Sequence, residues 1–212
     1  MEARRHETLP QAVSRRFFER PVEEVAPALL GCYLVRDLGN AVVGGRIVET
    51  EAYGGPGDPG SHADRAPNGR ARIMFGPAGV VYVYFTYGMH HCMNVVTGAQ
   101  GQASAVLVRA LEPRWGIELM RTGAPVTLPD HQLASGPGRV CRALGVDREL
   151  NGVDLGAGPL RVLRGRRRRD EEIRRGIRVG LSADDERPWR FWVPGPSVSR
   201  RAPGNRGRDR RG

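Results

Sequence analysis

The run Arg46-Ile47-Val48-Glu49-Thr50-Glu51-Ala52-Tyr53 constrains this chain more than any other. β-Branched and aromatic residues alternate through it, which is the pattern of a strand. Alternation sets Ile47, Glu49, Glu51 and Tyr53 on one face and Val48, Thr50 and Ala52 on the other. The second face reads as half-buried. The first carries two carboxylates and a tyrosine, and it hands over to a Gly/Pro/polar loop running to about Gly79. Binding and catalytic groups concentrate where a rigid strand gives way to such a loop. A carboxylate beside an aromatic ring can hold a flat substrate and activate water against it. The plain alternative makes Glu49 and Glu51 the wet face of an antiparallel strand.

A chain of 212 residues is long enough for one domain with its own core, without disulfide or metal support. It has no apolar run of roughly eighteen residues, so no membrane span is expected, and its first residues lead into no signal-like apolar stretch. Cys32, Cys92 and Cys141 are odd in number and widely spaced, with neither a zinc pattern nor a disulfide framework. A reducing cytosol fits them. The histidines show no metal-ligand spacing, and adjacent His90 and His91 would point to opposite faces of a strand. No metal and no cofactor are expected.

Net charge is +10 and the isoelectric point near 10.8, which points to a polyanionic partner. A GC-rich genome is the plainer cause of an arginine excess. All 33 basic residues are arginine, and lysine is absent. That absence removes the usual amine for Schiff-base chemistry, and a permanently protonated guanidinium cannot replace it.

Along the chain, Phe17-Phe18 would dock a short helix. Pro21–Gly31 carries a helical stripe of Val22, Val25, Ala26, Leu29 and Leu30 capped by Gly31, with Pro27 implying that the regular part starts late. Cys32–Arg36 and Val42–Tyr53 read as a hairpin across a turn at Asp37–Ala41. Val80–Thr97 reads as strand, turn and returning strand, with Tyr82 and Tyr84 on one face. Tyr87 and Met89 fall at that turn, where large apolar groups project into solvent. On a basic protein such wedges suit insertion into a stacked base step. Ala105–Leu111 follows as a strand, and Arg109 among its apolar residues calls for a carboxylate. Pro113–Arg121 and Gly136–Leu144 look helical. Ser135 is placed to cap the second, exposing amides suited to a phosphate. Arg164–Arg175 reads as a solvated insertion, and Ile177–Leu181 and Trp189–Val193 as the last strands.

The Arg46–Tyr53 octapeptide, Ser61-His62, Met74-Phe75-Gly76, Tyr82-Val83-Tyr84, Tyr87-Gly88-Met89, Cys92-Met93-Asn94 and Arg109-Ala110-Leu111-Glu112-Pro113 together closely resemble the alkyladenine (3-methyladenine) DNA glycosylase family. Ser135-Gly136-Pro137-Gly138 and Arg178-Val179-Gly180 continue the match, which spans roughly Phe17 to Ser199. The resemblance implies an α+β single domain, a curved and mostly antiparallel sheet flanked by short helices with a protruding, DNA-intercalating hairpin. Its expected limits are residues 17–199, between a flexible segment 1–16 and a basic, disordered tail 200–212.

The resemblance also implies roles. Glu51 would be the general base that activates water at C1′ of a damaged nucleotide, with Arg109 and the carbonyl of Val179 positioning that water. Tyr53, His62 and Tyr84 would stack on the flipped base, and Asn94 would screen the purine 2-position. Tyr87, with Met89 beside it, would fill the gap left in the duplex. The expected substrates are double-stranded DNA carrying 3-methyladenine, 7-methylguanine, hypoxanthine or ethenoadenine, and the expected enzyme is a cytoplasmic, bacterial-type monomer associated with the nucleoid through DNA. Such an enzyme must extrude the base to reach the glycosidic bond. An electron-poor alkylated purine is the better partner for aromatic faces, at roughly 1–3 kcal/mol of stacking per base. Two other readings remain: a non-catalytic minor-groove binder, which needs the wedge but not Glu51, and a carbohydrate glycosidase using Glu49 and Glu51 as its carboxylate pair.

Overall fold

The strand pattern of Val42–Tyr53 is realised at full length, and the sheet is assembled on it. The computed structural model describes residues 9–65, 68–86, 88–166, 171–181 and 186–199. Within them α1 (Arg15–Phe18) and α2 (Val22–Ala28) precede β1 (Tyr33–Asp37) and β2 (Val42–Tyr53). The long loop then carries α3 (His62–Arg65) and a 3-10 turn at Arg70–Phe75. Next come β3 (Val81–Thr86), β4 (His90–Val96) and β5 (Ala105–Trp115), followed by α4 (Ile117–Arg121) and α5 (Pro137–Leu144). Three short strands complete the order: β6 (Leu160–Leu163), β7 (Arg174–Gly176) and β8 (Arg190–Trp192).

The strands form one curled antiparallel sheet in the order β3-β4-β5-β2-β1-β6, with β8 pairing to β2 and β7 to β8. Along one edge β2 meets β5 from Gly44 to Tyr53; along the other, β1 takes residues 42–46 and β8 takes 49–51. Val25 and Ala26 of α2, Leu29 at its C-terminal end, and Val140 and Leu144 of α5 close the core against Ile47, Val106, Val108 and Leu111. This is the α+β domain that the resemblance implies. Among the described residues no helix is long and apolar enough to cross a membrane.

The register of β2 against β5 shifts near Gly44 and again at the centre of β2. Ile47 pairs with Leu111, Glu49 with Ala110 and Thr50 with Val108, so the register skips Val48 on β2 and Arg109 on β5. Such bulges re-aim side chains. Ile47 therefore joins the core with Ala52 rather than sharing a face with Glu49 and Glu51. Both faces are covered, and Glu49 and Glu51 have no exposed surface. The wet-face alternative for these carboxylates falls.

Other expectations need correction. α2 starts at Val22 and holds Pro27 in its last turn, where the missing N–H costs little because Leu29 N still reaches Val25 O at 2.9 Å. Pro113 lies in the last part of β5, not in a helix, and α4 starts only at Ile117. Ser135 does not cap α5; its hydroxyl donates to Val198 O at 3.2 Å. The arginine-rich stretch runs into β7, and Glu171 within it ion-pairs with Arg46. Ile177–Leu181 is not a strand; it is irregular, with a turn at Val179-Gly180 (Gly180 φ 84°). Residues 11–13 also run beside β6, Val13 N donating to Val162 O at 2.9 Å, so paired chain begins before residue 17.

Candidate active site

The double register skip sets Arg109 against both carboxylates of β2. Its Nε donates to Glu49 Oε1 and its Nη1 to Glu51 Oε2, each at 3.0 Å, while Nη2 reaches the Ser199 hydroxyl at 3.3 Å. Burial opposes the charge on Arg109, yet Glu51 and Glu49 hold its pKa above the ordinary value.

The two carboxylates differ in what surrounds them. Glu49 accepts four further or shared donors: Arg109, Arg190 Nε at 2.7 Å, the Ser199 N–H at 2.7 Å and the Ser199 hydroxyl at 2.9 Å. Burial pushes its pKa up, but Arg109, Arg190 and Ser199 outweigh it and leave the pKa lowered. Glu51 accepts Tyr53 Oη at 2.9 Å and Arg109 on Oε2, and the Val179 N–H on Oε1 at 2.6 Å. A carboxylate has about four lone-pair sites. Glu49 takes four donors, three of them on Oε1, whereas Glu51 takes three, with the Val179 N–H alone on Oε1.

Tyr53 is held from two sides. Burial first, then the neighbouring Glu51, raises its hydroxyl pKa well above the ordinary value, so the group stays a donor. Its ring lies under the guanidinium of Arg178, 4.7 Å from the centroid. Arg178 is itself buried, bidentate to Asp58 at 2.8 and 2.6 Å and bonded to Ala52 O at 2.9 Å. A Cβ on Gly60 would stand 2.7 Å from Arg178 Nη2, so this close approach requires glycine.

Tyr53, His62, Tyr84 and Asn94 line one cavity of about 260 Å³ together with Arg109 and Val179. All the sequence-selected base-binding residues are thus brought together. Glu51 is not on the cavity surface; it lies directly behind Tyr53, Arg109 and Val179, which are. His62 Nδ1 meets Tyr82 Oη at 3.0 Å, and Arg70 donates to His62 Nε2 at 2.9 Å. His62 and Tyr84 stand edge to face with centroids 4.5 Å apart. Asn94 is fixed by a bond to Tyr82 O at 3.2 Å.

The cavity opens onto a groove of about 1170 Å³, and Thr86, Cys92, Arg109, Pro137 and Val179 border both. Met89 stands at the groove with 70% of its surface exposed, at the tip of the β3–β4 hairpin. Tyr87 lies outside the described residues. Among the described residues no cluster of His, Cys, Asp or Glu could hold a metal.

Residues 16–197 match the profile of the methylpurine-DNA glycosylase family. The chain belongs to that family. It is 51% identical over 192 residues to a protein of Streptomyces avermitilis named "Putative 3-methyladenine DNA glycosylase", covering 88% of this chain and 90% of the relative. A relative of the same name from Carboxydothermus hydrogenoformans is 46% identical over 182 residues, covering 84% and 93%. One from Methanocella arvoryzae is 45% identical over 194 residues, covering 90% and 97%.

Sequence reasoning in this methylpurine-DNA glycosylase family member missed Asp58, Arg70, Arg190 and Ser199. Asp58 sits in Asp58-Pro59-Gly60, which reads as a turn and conceals a buried ion pair. Arg190 had a usable signal: a lone arginine inside Trp189–Val193 needs a carboxylate, as Arg109 does.

Proposed function

We propose that this protein is a monofunctional DNA glycosylase that extrudes a damaged purine from duplex DNA and hydrolyses its N-glycosidic bond. The observation that carries this is the unequal state of the two β2 carboxylates. Glu49 accepts four donors and balances two buried guanidiniums, while Glu51 accepts three, all from residues that line the cavity, and its Oε1, with the Val179 N–H as its one donor, is the acceptor we assign to water. A water held at that site gives its proton to Glu51 as its oxygen bonds to C1′. The C1′–N9 electron pair leaves with the purine, and an abasic site remains.

In this mechanism Arg109 and Val179 position the water. Tyr53, His62 and Tyr84 pack against the extruded base, and Asn94 meets its 2-position edge. The groove beside Arg139 and Arg142 takes the phosphate backbone, and Met89, with Tyr87, enters the gap in the duplex. The ion pairs of buried Glu49 with Arg109 and Arg190 disfavour a carbohydrate glycosidase, which needs two working carboxylates.

The test is release of free base from duplexes carrying 3-methyladenine, 7-methylguanine, hypoxanthine or ethenoadenine. Release of base with an intact sugar–phosphate strand is expected. Lesion binding without release makes the protein a minor-groove binder and overturns the proposal.

A further inference from the structure

The walls of the base cavity carry a charge arrangement that bears on which damaged purines it accepts. This inference rests on the glycosylase reading and concerns its substrate class. Three buried guanidiniums, Arg109, Arg178 and Arg190, face three buried carboxylates, Glu49, Glu51 and Asp58, in direct ion pairs. These buried groups balance one another, and half-buried Arg187 adds a second guanidinium to Asp58 at 2.8 Å. Arg70 is different. Its guanidinium lies 5.3 Å from the ring centroid of Tyr84 and 2.9 Å from His62 Nε2, and among the described residues it has no carboxylate partner. It does not line the cavity but stands against the two rings that do.

The chemistry of the lesions makes this charge consequential. Purine nucleotides methylated at N3 or N7 carry a formal positive charge, whereas hypoxanthine and ethenoadenine are neutral. Aromatic faces favour a cationic base because of their quadrupole. Here Tyr53 already faces Arg178 and Tyr84 already faces Arg70, so both tyrosines spend part of that attraction on the protein's own cations. The reach of Arg70 into the wall is visible at Tyr82, whose hydroxyl pKa burial pushes up to about 12 while the charge of Arg70 pulls it down.

We propose that Arg70 is a specificity-determining residue: its unbalanced charge on the Tyr84–His62 wall weights excision toward neutral damaged purines and against cationic ones. Arg70 is exposed, so water and salt screen the effect. A unit charge several ångströms from the base, at the dielectric of a protein surface, changes the preference by roughly three- to ten-fold.

The experiment compares single-turnover release of 7-methylguanine and hypoxanthine from otherwise identical duplexes, at low and high salt. In Arg70→Gln the ratio of 7-methylguanine to hypoxanthine release should rise roughly three- to ten-fold at low salt and less at high salt. Arg70→Lys keeps the charge while changing the geometry at His62, and should hold the ratio within about two-fold of wild type. An unchanged ratio in Arg70→Gln, an equal loss on both lesions, or the same shift in Arg70→Lys overturns the proposal. An equal loss identifies Arg70 as a phosphate contact. Failure of the unaltered protein to release either base is a separate outcome, and it defeats the glycosylase reading itself.

Discussion

Val179 and Glu51 are joined main chain to side chain, the Val179 N–H lying 2.6 Å from Glu51 Oε1. The resemblance to known glycosylases points to the carbonyl of this residue; the structure adds its amide, which fixes the rotamer of the carboxylate. Tyr53 and Arg109 bond Oε2, and Oε1 has the Val179 N–H as its one donor; the proposed mechanism assigns the water to Oε1.

Glu51→Gln puts an amide where that acceptor must be. Base release should fall by roughly 10²–10⁴-fold, the usual contribution of a positioned general base. Affinity for lesion duplexes should change only a few-fold, since the carboxylate does not line the cavity. Single-turnover excision and equilibrium binding on the same duplex check both parts. A variant that still releases base at near the unaltered rate would show that the water is activated elsewhere.

Glu49 answers to stability rather than to turnover. Glu49→Gln leaves Arg109 and Arg190 buried with one carboxylate fewer, which costs about 3–5 kcal/mol. The folded fraction should keep most of its excision activity. The pH dependence follows from the lowered pKa values of Glu49 and Asp58. Against burial, Arg109 and Arg190 lower the first and the Arg178 hydrogen bond lowers the second. A carboxylate depressed in the folded state stabilises fully above its unfolded pKa, roughly 4, and loses that contribution as pH falls through the folded value. Thermal melts should therefore hold level above about pH 5 and drop below about pH 4, with a shallower drop in Glu49→Gln. Identical acid slopes for the two proteins would remove Glu49 from the account.

Met89 exposes 70% of its surface at a hairpin tip, so its removal should leave the melting temperature unchanged. If it enters the duplex beside Tyr87, Met89→Ala should weaken binding to lesion duplexes by roughly three- to ten-fold through lost apolar burial. Binding to undamaged DNA, carried by salt-dependent phosphate contacts, should hardly move. Equal losses on the two duplexes count against insertion.

The sequence and the structure part company where long-range pairing decides. The extent of β2 was legible because alternation is local, and Arg109 among apolar residues announced that a carboxylate must meet it. The skips at Val48 and Arg109 were not, because a bulge depends on the partner strand. That central irregularity sends Ile47 to the core and gives Arg109 both glutamates. Ser199 was equally hidden: it lies 150 positions from Glu49 in the chain, and nothing in Ser197-Val198-Ser199 marks it as a cap on a buried carboxylate. β6 and β7 are only four and three residues long, too short for a periodic signal. Recognition supplied the cavity residues that no spacing rule could have joined, since Tyr53, His62, Tyr84 and Asn94 lie on four separate elements.

The chain lacks the side-chain amine that strand cleavage needs. Glycosylases that also cut the strand attach an amine to C1′ as a Schiff base. No lysine occurs among the 212 residues, so no side-chain amine can make that bond. Among the described residues that line the cavity the arginine is Arg109, and its guanidinium is non-nucleophilic, with all three nitrogens bonded to Glu49, Glu51 and Ser199. Attack by water at Glu51 needs no amine and leaves the abasic strand whole. Turnover on a lesion duplex in the presence of borohydride should yield no protein–DNA adduct. Strand breaks should appear only after alkali or an added abasic-site nuclease. Chemical acetylation of the protein blocks the α-amino group, the one amine left, and should change neither result. An adduct trapped by borohydride, lost on acetylation, would assign the chemistry to that amine and end the monofunctional reading.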